Sequence, residues 1–208
     1  MMHAAYRARA KPSRYGERVR AALAALGIPP GLPRERGLRL CPEARALVVA
    51  DIDARGREQR LVPAAAAAWR AMKADAAQAD IALHLVSAFR SFERQCQIVR
   101  AKLEGGQSLD RILEVSAPPG YSEHHTVRAV DIGATANDPL DEAFDTTGAY
   151  AWLTRNATRH GFTLSYPRGN RYGYRCEPWH WLYDPRLARI GARRIIEGGK
   201  RTHAKESA

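Results

Sequence analysis

The chain has 208 residues, 45% of them hydrophobic, with a net charge of +11 and seven histidines. That is enough apolar material for one packed domain, and no apolar run approaches the length needed to span a membrane. Residues 1–40 hold nine Lys or Arg against two Glu and residues 186–208 hold seven against two, so the body between them is close to neutral. Basicity confined to the ends reads as solvated termini. The body lacks the aromatic and basic interleaving of a nucleic-acid surface, which makes a nucleic-acid partner the weaker expectation. The expected organisation is a basic extension over 1–40, one domain over 41–197 and a basic tail over 198–208.

In chain order, a short helix is expected over 16–26, then the linking stretch GIPPGLP. Residues 46–52 read as a strand, with a turn at 54–56 and a second strand reaching Val62. Pro63 suits the first position of an alanine-rich helix running to 79. Residues 81–89 read as a strand. Ser91 is placed to cap a helix to Leu103, with Glu93 in its first turn and Gly105-Gly106 after its end. Residues 104–121 read as a long loop closing in Pro118-Pro119-Gly120. The β-branched stretch 127–132 is the next strand. Thr147 starts a helix that ends near His160-Gly161. Strands over 162–166 and 172–177 are expected to flank a hairpin loop at 167–170, and 186–196 reads as a terminal helix. The sum is an α+β fold, an antiparallel sheet with helices packed on one side. Cys41, Cys96 and Cys176 are an odd set, and no apolar signal core follows the basic start. Together these point to a reducing, cytoplasmic setting, with a periplasmic one as the alternative if a leader is missing from the chain.

Two segments carry the chemistry: 122–131, which reads SEHHTVRAVD, and 177–181, which reads EPWHW. His124, Asp131 and His180 offer two imidazoles and a carboxylate. Three such ligands leave one tetrahedral position of a zinc ion open, and Glu177 is available to deprotonate a water there. A separation of seven puts His124 and Asp131 on opposite faces of one strand. Sharing a metal therefore requires a bend between them, with His124 on the loop that enters the strand of Asp131. Pro178 disfavours a helix interior and keeps Glu177 extended, so this is not a helical His–Glu motif but a strand end turning over. Either pair alone is a common coincidence of spacing. His84, alternating with apolar residues, reads as structural, and His160 as a helix C-terminal residue. His125 is left between a group supporting the ligands and a solvent-facing one. Cys176 is expected to face away from the metal if 172–177 is a strand.

Residues 119–133 resemble the Ser-x-His-x-x-Gly-x-Ala-x-Asp signature of the D-alanyl-D-alanine carboxypeptidases, which group with lysostaphin-type and hedgehog-type zinc proteins. Glu177-Pro178-Trp179-His180 is similar to that family's second motif. Residues 87–95, SAFRSFERQ, are similar to its upstream Ser-Gly-Tyr-Arg-Ser-x-x-x-x-Gln segment. The resemblance implies a zinc site at the sheet rim, held by His124, Asp131 and His180. It implies Glu177 as general base and Arg90 as the partner of the oxyanion, a task that suits an always-charged guanidinium. It implies Ser122 and Gln95 as donors to the substrate's terminal carboxylate or peptide group. Trp179 is expected beside them as a wall of the cleft.

The activity so implied is release of terminal D-alanine from peptidoglycan-derived peptides. L,D-cleavage of muropeptide tetrapeptides is the first expectation, and D,D-cleavage of D-Ala-D-Ala ends is the near alternative. A non-catalytic binding module of the same fold is the alternative of a different class, and the full set of ligands with Glu177 argues against it. The sequence departs from the family at Val127, where the motif has glycine. Valine lacks glycine's backbone freedom, so an ordinary negative φ is expected there. Ala88 likewise stands where glycine is usual.

Overall fold

The computed structural model describes residues 13–135 and 140–187. The first helix, α1 (Arg14–Ala25), begins where the Ser13 hydroxyl accepts from the Gly16 N–H, so it starts two residues earlier than its apolar pattern suggests. A four-residue helix, α2 (Leu32–Glu35), follows. β1 (Val48–Ile52) and β2 (Glu58–Leu61) pair antiparallel as a separate two-stranded ribbon. α3 (Pro63–Ala77) has Pro63 in its first turn as expected. β3 (His84–Ser87) leads to α4 (Phe92–Glu104), where the Ser91 hydroxyl accepts from the Arg94 N–H.

The segment expected as a long loop contains a helix, α5 (Leu109–Val115), capped by Ser108. A 3-10 turn at Glu123–Thr126 precedes β4 (Ala129–Gly133). α6 (Gly148–Asn156), capped by Thr147, runs into a 3-10 turn that ends at His160, before Gly161 at φ 84°. β5 (Phe162–Leu164) and β6 (His180–Tyr183) complete the chain of elements. The expected strand over 172–177 is not formed. The Arg175 N–H donates to Glu114 O at the end of α5 and the Glu177 N–H to Tyr166 O, so these amides are drawn in different directions and build no ladder. The turn at 167–170 is present, with Asn170 N–H donating to Pro167 O, but the hairpin it serves joins β5 to β6 through a long connection. Most of the expected terminal helix, and the basic tail, lie outside the described residues.

The main sheet has the order β3-β4-β6-β5, all antiparallel. Side chains alternate across it. Leu85, Val130, Ile132, Trp181, Tyr183 and Phe162 face a core closed by Trp69 and Met72 of α3 and Trp152 and Leu153 of α6. Asp131 and His180, which are direct register partners, point to the opposite face. Beyond that face a second apolar cluster joins α1, α4 and α5 through Val19, Leu23, Phe92, Val99, Ile112 and Leu113. The candidate site therefore lies on the sheet face turned away from the α3–α6 layer. Among the described residues no helix is long and apolar enough to cross a membrane.

Candidate active site

Three elements bring three candidate ligands together. Asp131 is in mid-β4 and His180 opens β6, and the register Asp131↔His180 sets them side by side. His124 arrives from the 3-10 turn, and the reversal that aims it back at the strand occurs at Val127. That residue has φ 57° and ψ 31°, the left-handed region. The expected negative φ is thus wrong. Val127 adopts the conformation that glycine would take more easily, and it is held there by burial: its side chain is 0% exposed within the core and its carbonyl accepts from the Val62 N–H.

His124 Nε2 lies 3.2 Å from one Asp131 oxygen and His180 Nδ1 lies 3.0 Å from the other. One ligand atom from each residue falls within 4.8 Å of the other two. Two nitrogens bound at 2.0–2.1 Å to one tetrahedral ion sit roughly 3.3 Å apart, so little adjustment separates this arrangement from a bound one. The far side of each ring fixes its tautomer. His124 Nδ1 is 2.6 Å from Ala88 O, a bond that requires Nδ1 to carry hydrogen and leaves the Nε2 lone pair free. His180 Nε2 is 3.0 Å from Glu123 Oε2, which leaves Nδ1 free in the same way. With both rings neutral, as metal binding requires, both lone pairs face Asp131, and the donor set fits a divalent cation.

The electrostatics agree. Burial pushes the Asp131 carboxyl up, but the charges and hydrogen bonds of His124 and His180 overcome this and hold it well below the usual carboxylate range. Burial pushes His124 down. Burial also opposes charge on His180, but the hydrogen bonds its ring donates to Asp131 and Glu123, with the charges of those carboxylates, outweigh it and raise its pKa to about 10. A proton thus sits where a cation would replace it.

Glu177 Oε2 stands 3.8 Å from His180 Nδ1, beside the ligands and outside the group of three. Burial, reinforced by the charges of Asp131 and Glu123, raises its pKa to about 7, a value matched to proton transfer near neutrality. Arg90 reaches Asp131 at 3.9 Å and donates to Gln95 Oε1 at 3.3 Å. A cavity of about 480 Å³ opens over these groups, and Ser122, Trp179 and Tyr166 line it. Gln95 does not line it: fully buried, it spans Arg90 and Ala117 O, which its amide donates to at 2.7 Å. Its geometry is that of a brace for the guanidinium. His125 is buried, not solvent-facing. Its Nδ1 is 2.6 Å from Arg90 O and its Nε2 accepts from the Gly120 N–H. Cys176 also lines the cavity, since the segment carrying it is not a strand, but it is not among the converging ligands.

Sequence reasoning missed Glu123 and Lys102. Glu123 sits inside the first motif, and its role shows only in space: it meets His180 Nε2 and the Ser165 hydroxyl donates to it at 2.6 Å. Lys102 lines the cavity from α4, two turns beyond Gln95. Counting two helical turns onward from Gln95, along the face of α4 that it shares with Lys102, would have found it.

Residues 58–186 match the VanY family, described as D-alanyl-D-alanine carboxypeptidase. The chain belongs to this family. Among curated proteins, it is 38% identical over 106 residues to the protein YodJ of Bacillus subtilis and 35% identical over 122 residues to a D-alanyl-D-alanine carboxypeptidase of Enterococcus faecalis. The matches cover 49% and 52% of this chain but 38% and 43% of those proteins, so the chain spans about two fifths of the length of these VanY-type relatives. The solved structure of the LD-carboxypeptidase LdcB is similar with a TM-score of 0.62 at 30% identity, over 73% of this chain and 74% of that one. The VanY-type assignment rests on the same stretch that carries the ligands, Arg90 and Glu177.

Proposed function

We propose that this protein is a zinc-dependent carboxypeptidase that releases terminal D-alanine from peptidoglycan-derived peptides, cleaving an L,D bond at the end of a tetrapeptide. The observation that carries the reading is the convergence of two imidazole lone pairs and Asp131, with Glu177 beside them, under one cavity. His124, Asp131 and His180 hold the ion. Two imidazoles and a carboxylate with room for a fourth ligand suit zinc. When bound, zinc supplies Lewis-acid polarisation of the scissile carbonyl and of the attacking water.

The chain's own residues do the rest. Glu177 takes the proton from water and hands it to the leaving amine. Arg90, held by Gln95 and by the His125–Arg90 backbone contact, donates to the oxygen on which charge develops. Ser122 is placed to donate to the substrate. The L,D reading is supported by the likeness to LdcB, an LD-carboxypeptidase. A cytoplasmic site of action is supported by three unpaired cysteines, which suit a reducing compartment.

Mass spectrometry of products from a tetrapeptide and a pentapeptide side by side tests this. Free D-alanine should come from the tetrapeptide, cleavage should stop on chelation and return with zinc, and C-terminal amidation should suppress it strongly. Cleavage of the pentapeptide alone would make the enzyme a D,D-carboxypeptidase. Undiminished cleavage of amidated or internal bonds would make it an endopeptidase.

A further inference from the structure

Among the described residues three Lys or Arg side chains line the cavity, and two of them have anionic partners. Arg90 lies against Asp131, and Arg175 is paired with Glu114 at 3.0 Å. The third, Lys102, forms no ion pair within 4.0 Å among the described residues. Its ammonium donates to the Ser116 hydroxyl at 2.8 Å, one of three hydrogens it can offer. It lies in the last turn of α4, where a cation suits the helix dipole. The dipole explains a positive charge at that height. It does not explain aiming it across the cavity wall at Ser116 when it could turn back to the helix's own carbonyls.

The placement is defined by α4. Seven residues separate Gln95 from Lys102, nearly two full turns, so both share a face and lie roughly 10 Å apart along the axis. Helical side chains lean toward the N-terminus, which brings the ammonium back toward Arg90 and the ligands. Burial lowers the Lys102 pKa, and the charges of Arg90 and Glu177 both act on it, so it is within electrostatic reach of the reacting centre. A half-buried ammonium without a counter-charge is stabilised when a bound molecule supplies one.

We propose that Lys102 is a specificity-determining residue that binds a carboxylate of the peptide substrate. This rests on the carboxypeptidase reading above and names the group the cavity recognises besides the scissile bond. Two carboxylates of such a peptide could meet it: the one at the C-terminus, or one carried by a residue further up the chain.

The test compares wild type, Lys102→Met and Lys102→Arg, all zinc-loaded, on a D-alanine-ended tetrapeptide and on the same peptide with its internal carboxylates amidated. Inhibition by the C-terminally amidated peptide is measured alongside. If the internal carboxylate is read, wild type favours the free form by about ten- to a hundred-fold in kcat/KM. Lys102→Met then erases that preference by raising KM with kcat little changed, and Lys102→Arg restores most of it. If the terminal carboxylate is read, Lys102→Met raises KM equally on both peptides while the inhibition constant of the C-terminal amide does not move. Either pattern supports the inference and identifies the source. A Lys102→Met variant with unchanged KM on both peptides, or one whose loss is reproduced by Ser116→Ala, would overturn it, because Lys102 would then only brace the wall. If wild type cleaves neither peptide, the carboxypeptidase reading itself fails, which is a different result from a cleaving enzyme indifferent to Lys102.

Discussion

Val127 offers a test in which two physical effects oppose each other at one residue. It is fully buried and left-handed, at φ 57°. An L-residue in that region carries about 1–2 kcal/mol of strain, and a β-branched one carries more. Val127→Ala removes two buried methyl groups, worth about 1.6 kcal/mol in transfer alone, plus a cavity term. Part of the strain is relieved in exchange, so the net cost is about 1–2 kcal/mol. Going on from Ala to Gly loses one more methyl, about 0.8 kcal/mol, and about 0.5–1 kcal/mol of chain entropy. It also removes the remaining strain of about 1–2 kcal/mol.

The last step therefore comes out near zero. At an ordinary buried site such as Ala66 in α3, 0% exposed, the same Ala→Gly change has nothing to offset it and should cost about 1–2 kcal/mol. Urea unfolding of chelated protein, compared at constant m, measures all three variants without the contribution of bound metal. Val127→Gly should match Val127→Ala to within about 0.5 kcal/mol, while Ala66→Gly should not match its parent. If Val127→Gly falls below Val127→Ala by as much as the Ala66→Gly control loses, the backbone at 127 is not strained and the account of how His124 is turned toward Asp131 is wrong.

The remaining expectations concern the site. Glu177→Gln should bind zinc as wild type does, by titration against a chromophoric chelator, and lose turnover by about 10²- to 10⁴-fold; loss of the metal would make Glu177 a ligand. Because the Glu177 pKa is raised to about 7 and only its ionised form accepts a proton, kcat/KM should fall as pH drops through about 7. A bound cation moves that limb lower, so an acid limb above pH 8 would contradict the assignment. Glu123→Ala frees the Nε2 end of the His180 ring, so zinc affinity should weaken by about 10- to 100-fold, with Ser165→Ala moving it less in the same direction; equal affinity would show that Asp131 alone orients the ring. Arg90→Lys keeps the charge but not the fork, and should lower kcat by about 100- to 1000-fold with a smaller change in KM. Near-normal turnover would return Arg90 to a purely structural pairing with Asp131.

Much of the molecule was legible from local rules. Pro63 in the first turn of α3, Ser91 and Thr147 as caps, and Gly161 after the 3-10 turn all act within four residues of themselves, so the chain order alone exposes them. The candidate ligands could be singled out in the sequence because a metal demands particular side chains, and the structure brings His124, Asp131 and His180 together. The bend between His124 and Asp131 was required by the period of a strand, and the 3-10 turn supplies it. Helix α5 was missed although Ser108 caps it, because a seven-residue helix shows too little periodicity to stand out from a loop.

Other features depended on what lies across space. Residues 172–177 have strand-forming side chains, but their backbone groups find partners on α5 and at Tyr166, and that competition is invisible along the chain. Val127 takes a left-handed turn against its own preference because burial in the core and the Val62 hydrogen bond outweigh the strain. The roles of Gln95, Glu123 and Lys102 are decided by the partner each meets, or fails to meet, from an element far away in sequence. Residue types and short-range stereochemistry thus belong to the sequence. Which donor faces which acceptor, and which charge is left without one, is set only when the elements pack.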